Sequence, residues 1–243
     1  MRAVFFLFVL MLSGQAFAQL QVTVEPRLGY GTYAMGDMKL VQSDYRRNVG
    51  VWAKATDEFP AYFQRGLLVS LHLTEQNRIS LLFEQGSTGG RLAYEDYSGS
   101  LRLDQLLRYT SFGGILGREH RLNGISLMYG LESTVILSSF RMELSMQVDG
   151  DSYTNSEDFK AVGLGAKPML AIGYHYKRFL PRLSIGYLIN HSQKPFHLKN
   201  DELSVLMLQN QELAPDWSGL RLTLSLGYTI GGKREEQVLP AAN

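Results

Sequence analysis

Cysteine is absent from the 243 residues, which excludes disulfide frameworks, thiolate catalysis and Cys-based zinc sites. Net charge is nearly absent as well. The 24 Lys+Arg and 23 Asp+Glu leave a formal +1, and no basic stripe or block points to a nucleic-acid partner. Charged residues make up 19% against 45% hydrophobic, too apolar a mixture for a disordered chain. No segment beyond the N-terminus holds the ~20 consecutive apolar residues of a membrane-spanning helix. What the chain has in quantity is Gly (24), Tyr (13) and Phe (12).

The N-terminus carries an export pattern. Arg2 supplies the positive end, residues 4–12 (VFFLFVLML) form an apolar run, and Ala16-Phe17-Ala18 is a small-x-small cleavage site. Residues 1–18 are therefore expected to be a signal peptide cut after Ala18. An exported chain without cysteine suits a bacterial envelope better than an animal secretory pathway.

The mature chain alternates. Between Gly219 and Ile230, Leu220, Leu222, Leu224, Leu226, Tyr228 and Ile230 fall on one face, with Arg221, Thr223, Ser225, Gly227 and Thr229 on the other. Period two is the signature of a strand, since helical spacing would scatter those leucines round the axis. The same pattern runs through Leu20–Tyr30, Phe63–Leu73, Ile79–Phe83, Ile125–Val135, Val162–Tyr176 and Leu183–Ile189, and more poorly through a fourth segment near 101–116. Eight strands result. Short polar turns (74–77, 117–123, 177–181) alternate with long polar excursions (34–61, 85–100, 146–160, 190–218), the connectivity of an up-and-down barrel with both termini on the short-turn side. The reading is all-β: an eight-stranded, up-and-down antiparallel transmembrane β-barrel over 19–230, followed by a polar tail at 231–243.

Two features turn the apolar face toward lipid. The opposite face is mostly Gly, Ser and Thr with isolated charges, whereas a strand face in water is rich in Lys and Glu. Aromatic residues also gather toward strand ends: Tyr30, Tyr62, Phe63 and Tyr187 at one, Tyr174, Tyr176 and Tyr228 at the other. Two such belts mark lipid–water interfaces. Pro26 and Pro168 fall inside strands, where a bulge and a local register shift are expected.

With a signal peptide, eight alternating strands, three short turns, four long loops and a last strand containing Tyr228, the chain resembles the small outer-membrane β-barrels of Gram-negative bacteria. These are the OmpA membrane domain, OmpX and the wider porin-like β-barrel family. The likeness covers nearly the whole mature chain but is architectural, and the hydrophilic tail departs from it. It implies residence in the outer membrane, contact with outer-membrane lipids and lipopolysaccharide, and delivery by periplasmic chaperones and the barrel-assembly machinery.

The inward face is expected to hold Glu25, Arg27, Glu84, Glu132, Lys167, Arg182 and Arg221, joined by Arg108 if the fourth strand is so registered, with His72 and His175 nearby. Charges enclosed by lipid must pair or be hydrated. This lumen charge network therefore reads as a plug, with a narrow path for ions or small solutes as the alternative. Arg65 lies on the lipid side near the loop end, where its guanidinium can either meet a lipopolysaccharide phosphate or snorkel into the interface. Catalysis is not expected. Lipid A deacylases resemble this architecture and use His and Ser on one strand face, but His191 and Ser192 are adjacent and read as the start of a loop. No metal or cofactor is expected. Residues 35–47 can form a short helix with Met38, Val41 and Tyr45 on one face, and the apolar stretch 203–208 can fold over the barrel mouth. The expected product is a monomeric, non-catalytic barrel that supports the envelope or presents its loops to an external ligand.

Overall fold

The computed structural model describes residues 21–48, 54–74, 76–97, 99–148 and 151–231. The signal-peptide segment and residues 232–243 of the tail lie outside them. Eight antiparallel strands close into a ring: β1 (Gln21–Gly31), β2 (Tyr62–His72), β3 (Asn77–Asp96), β4 (Gly99–Leu122), β5 (Ile125–Val148), β6 (Asp151–Tyr174), β7 (Phe179–Gln193) and β8 (Gly219–Ile230). Each pairs with its sequence neighbours, and β8 returns to β1 through pairs such as Val24 with Tyr228 and Gly31 with Arg221. Closure leaves the membrane-crossing backbone no free edge, which a lipid environment requires.

Burial alternates with the pleat. In β8 Arg221, Thr223, Ser225 and Gly227 are buried while Leu220, Leu222, Leu224 and Leu226 are exposed. Exposure is highest where a soluble protein would bury most: Leu81 is 71% exposed, Leu116 65% and Leu224 59%. The two expected aromatic belts are both on this outer surface, with Tyr30, Tyr62, Phe63 and Tyr187 at the loop end and Tyr174, Tyr176 and Tyr228 at the turn end. The surface between them is apolar and continuous, and only acyl chains satisfy it.

Three expectations need correction. The excursions at 85–100 and 146–160 are not loops: β3 pairs with β4, and β5 with β6, without interruption from the short turns to Asp96–Gly99 and Val148–Asp151. These polar segments stay extended because strand pairing continues through them: the β5–β6 tip is wetted on both faces, the β3–β4 hairpin buries Leu92 and Leu103 on one face, and ion pairs stitch both. Arg141 Nε lies 2.7 Å from Asp158, and Arg91 and Arg102 both contact Asp104. Secondly, neither proline bulges. Register is unchanged across Pro26, which still pairs with Leu67, and across Pro168, which pairs with Leu131. Each proline ring points outward and removes a bond on one side only. The irregularity lies instead between Leu164 and Gly165 opposite β7, where His191 is skipped. Thirdly, His191 and Ser192 belong to β7 rather than to a loop.

The mouth is closed by chain. Helix α1 (Gly36–Asn48) has Asp37 in its first turn and Arg46 and Arg47 in its last, complementing its dipole. It buries Met38, Val41 and Gln42, with Tyr45 packed alongside. The carboxylate of Asp37 accepts the amide of Ala214 at 2.9 Å, which ties the helix to the segment leading into β8. Of the stretch 203–208, Leu206 and Leu208 pack on the plug, whereas Leu203 and Met207 face outward.

Two outcomes follow. Leu224→Arg, near the middle of the lipid face, should cost about 2–4 kcal/mol, read from urea unfolding in lipid vesicles, while Leu224→Ile should leave the midpoint almost unchanged. In the projecting hairpin the bond from Arg141 holds the Asp158 carboxyl below the ordinary carboxylate range. A depressed value means that the contribution of this pair is present above the unfolded-state value and is lost as pH falls through the folded one. Carboxyl-carbon NMR should therefore find the Asp158 midpoint lower than that of a free aspartate, and Arg141→Gln should raise it.

Candidate functional site

The lumen is built in levels. At the short-turn end four side chains from four strands form a closed square of alternating charge: Glu25 (β1), Arg78 (β3), Glu119 (β4) and Arg182 (β7). Arg78 lies 3.3 Å from Glu25 and 3.1 Å from Glu119, and Arg182 lies 2.7 Å from Glu25 and 3.4 Å from Glu119. All four are almost completely buried. The remaining carboxylate capacity is also used. Ser225 donates to Glu25 at 3.1 Å, and His175 and Arg121 reach Glu119 at 2.9 and 3.1 Å. His72 sits 3.0 Å from Thr23 Oγ1 at the same end. Two carboxylates and two guanidiniums cancel in charge, and each carboxylate joins both cations.

Farther along, Lys167 lies 2.9 Å from Glu132, with Arg27 at 3.8 Å from the same oxygen. The same stretch of strands contributes a small apolar cluster of Leu68, Leu82, Ile115, Met128, Met169 and Ala171. Above it the Tyr109 hydroxyl is 2.9 Å from both Gln64 and Glu84. The Tyr109 ring covers Gly86 so closely that a Cβ there would come within 2.4 Å of it. Arg221 spends its guanidinium on the backbone carbonyls of Thr32, Trp217 and Leu220 and lies 4.7 Å over the Tyr33 ring. It therefore anchors the ends of β1 and β8 instead of pairing with an acid.

The loop-side half of the lumen is apolar. Trp217 is fully buried, donates from Nε1 to Ser138 at 2.8 Å, and packs tilted against Tyr109 and edge-on to Tyr33 at ring-centroid distances of 4.6 and 5.3 Å. Phe140, Phe159 and Phe196 pack beside it with Met35, Met38 and Val41 from the chain over the mouth.

Of the residues expected to line the lumen, Glu25, Arg27, Glu84, Glu132, Lys167, Arg182 and Arg221 are buried inside it. Arg108 is not. It is exposed on the outer face, and Leu107 and Tyr109 point inward in its place. The fourth strand misleads because its inward face mixes apolar Leu103, Leu107 and Ile115 with polar Gln105, Ser111 and Glu119, so hydrophobicity does not mark the face. Arg78, Glu119 and Arg121 escape a reading that ends the strands early. A signal was present: Asn123-Gly124 is a two-residue hairpin turn, both residues having positive φ (50° and 84°). That turn carries β4 to Leu122, and inward alternation then includes Gly117, Glu119 and Arg121. Arg65 is exposed on the outer face, with Gln85 accepting from its guanidinium at 3.3 Å. Among the described residues no group of three or more His, Asp or Glu side chains could hold a metal.

No protein-family model matches the chain, and no curated protein does. Solved structures do. The outer membrane protein OprG from Pseudomonas aeruginosa is similar over 88% of this chain and 97% of its own, at 9% identity and a TM-score of 0.50. Ail, the attachment invasion locus protein of Yersinia pestis, shares 12% identity over 87% and 99%, with a TM-score of 0.33. Neisserial surface protein A shares 9% over 87% and 96%, also at 0.33. The architecture, an antiparallel ring of eight strands, is that of the small outer-membrane β-barrel proteins.

Arg182→Met should destabilise the barrel by about 3–5 kcal/mol, because it strands buried carboxylate charge on Glu25 and Glu119. Denaturant midpoints in detergent micelles test this. Restoring neutrality with Glu25→Gln in the same chain should recover part of the loss.

Proposed function

We propose that the mature chain is a non-conducting, non-catalytic outer-membrane barrel that strengthens the envelope and displays its outer hairpins to an external ligand. The observation that carries this reading is double closure: the Glu25–Arg78–Glu119–Arg182 square at one end of the lumen and the Trp217-centred plug at the other. A solute crossing the barrel would have to break both. Eight strands enclose barely more space than their own side chains fill.

Its expected path follows from the export pattern of residues 1–18 and the likeness to outer-membrane barrels: removal of that segment, escort by periplasmic chaperones, and insertion by the barrel-assembly machinery as a monomer. In the membrane the partners are outer-membrane lipids and lipopolysaccharide. Display is supported by the hairpins that project past the aromatic belt and expose Tyr97 and Tyr153, and by Leu203 in the neighbouring loop. Conductance across planar bilayers containing the purified barrel tests the reading. Inserted protein should give no unitary steps, and stepwise conductance by the wild-type chain would refute a closed lumen. Arg78→Ala with Trp217→Ala, which opens both ends, should introduce noise or steps.

A further inference from the structure

We propose that an outward row of three cations, Arg65, Arg108 and Lys160, binds the phosphate groups of an outer-leaflet lipid, which in this setting is lipopolysaccharide. The inference rests on residence in the outer membrane but not on a closed lumen.

The row is set by strand register. Arg65 stands opposite Gln85, and Gln85 opposite Thr110 on β4. Two residues along β4, Arg108 stands opposite Ser87 on β3 and Ser139 on β5, and Ser139 stands opposite Lys160 on β6. Adjacent strands lie about 4.8 Å apart, so Arg108 and Lys160 are separated by about 10 Å, a span one multiply phosphorylated headgroup can bridge. Arg65, Arg108 and Lys160 are all exposed on the outer face, and Ser87, Thr110 and Ser139 lie between them. These hydroxyls are further donors for phosphate oxygens.

Charge bookkeeping distinguishes these three from their neighbours. Arg91 and Arg102 share Asp104, and Arg141 and Lys199 flank Asp158. Asp158, two residues from Lys160 on the same face, is thus already occupied. Arg108 and Lys160 have no side-chain partner among the described residues, and Arg65 has only the neutral Gln85. The row is also one-sided. At the loop end of β7, β8 and β1 the outward positions are Tyr187, Ile189, Leu220 and Tyr30, with the exposed His191 beyond them, and no Arg or Lys of these three strands faces outward there.

Location selects a lipid as the source of the phosphate. The outward rings of Phe83 and Phe112 lie one pleat step from Gln85 and Thr110 toward the short turns, where the acyl region ends, while Phe63 stands on the loop side of Arg65 within the aromatic belt. A ligand that spans both surfaces needs phosphates above and acyl chains below. Guanidinium forks suit phosphate by bidentate hydrogen bonding, and a cation at this depth costs little.

The test uses the full mature chain, refolded and checked by its shift on gels before and after boiling, in vesicles with and without purified lipopolysaccharide. Native mass spectrometry counts the lipid retained. Wild type should retain lipopolysaccharide, and Arg65→Gln/Arg108→Gln/Lys160→Gln should retain it about tenfold less, the loss of charge-assisted bonds worth roughly 1.4 kcal/mol or more. Arg141→Gln, whose parent is already paired, should retain it as wild type does. Arg108→Gln alone, at an outward position with no partner, should fold normally and fall between the two. Equal retention by the triple variant, equal retention of dephosphorylated lipopolysaccharide, or full displacement by inorganic phosphate would each overturn the proposal. Bilayer conductance, measured separately, reports on the lumen and leaves this result unaffected.

Discussion

Lipid supplies no hydrogen-bond partners, and the rest of the architecture answers that constraint. Every amide of a membrane-crossing strand must find its carbonyl on a neighbouring strand, so the sheet has to close. Closure then divides the side chains by the pleat. Leucines and aromatics go outward, where burial against acyl chains replaces burial in a core, and Gly, Ser, Thr and the charges go inward. The protein is apolar outside and largely polar inside because its solvent is.

A polar interior creates a second problem. Charges sealed inside a narrow barrel are expensive unless each finds compensation. The square of Glu25, Arg78, Glu119 and Arg182 provides it by using every carboxylate oxygen, with Ser225, His175 and Arg121 completing the shell. Its corners come from four strands far apart in sequence, so the square is complete only when the ring closes in its native register. A slip by one residue would turn these charges into lipid. Such a network stabilises little against an apolar packing of equal volume but penalises wrong registers heavily. The loop-side half uses the opposite strategy. There Phe140, Phe159, Phe196 and Trp217 pack as in a soluble core, with the Trp217 indole bonded to Ser138.

The two levels explain where the primary structure was legible. Strands whose inward face is uniformly small or polar, such as β1 and β8, showed at once which face turns inward, although the register shift expected at Pro26 did not occur. In β4 the inward residues change from Leu107 and Tyr109 at the plug to Glu119 and Arg121 below it, so hydrophobicity ceased to mark the face and Arg108 was assigned inward. The charged square was half visible for a related reason. Glu25 and Arg182 stand in clear alternation, whereas Arg78 and Glu119 sit beside turns, where a polar residue reads as loop. The projecting hairpins were read as loops because polar residues break their apolar period, although pairing continues and the β3–β4 hairpin buries Leu92 and Leu103 on one face.

From the amino-acid order alone came the strand count, the connectivity, the lipid-facing side and most of the buried charges, since these depend on local alternation and on the spacing of turns. Tertiary structure alone decided which charges meet, how the mouth is sealed and which cations remain unpaired on the outer wall. Those outcomes join residues as distant as Glu25 and Arg182, and they depend on the register round a closed ring, a global quantity that no single strand encodes.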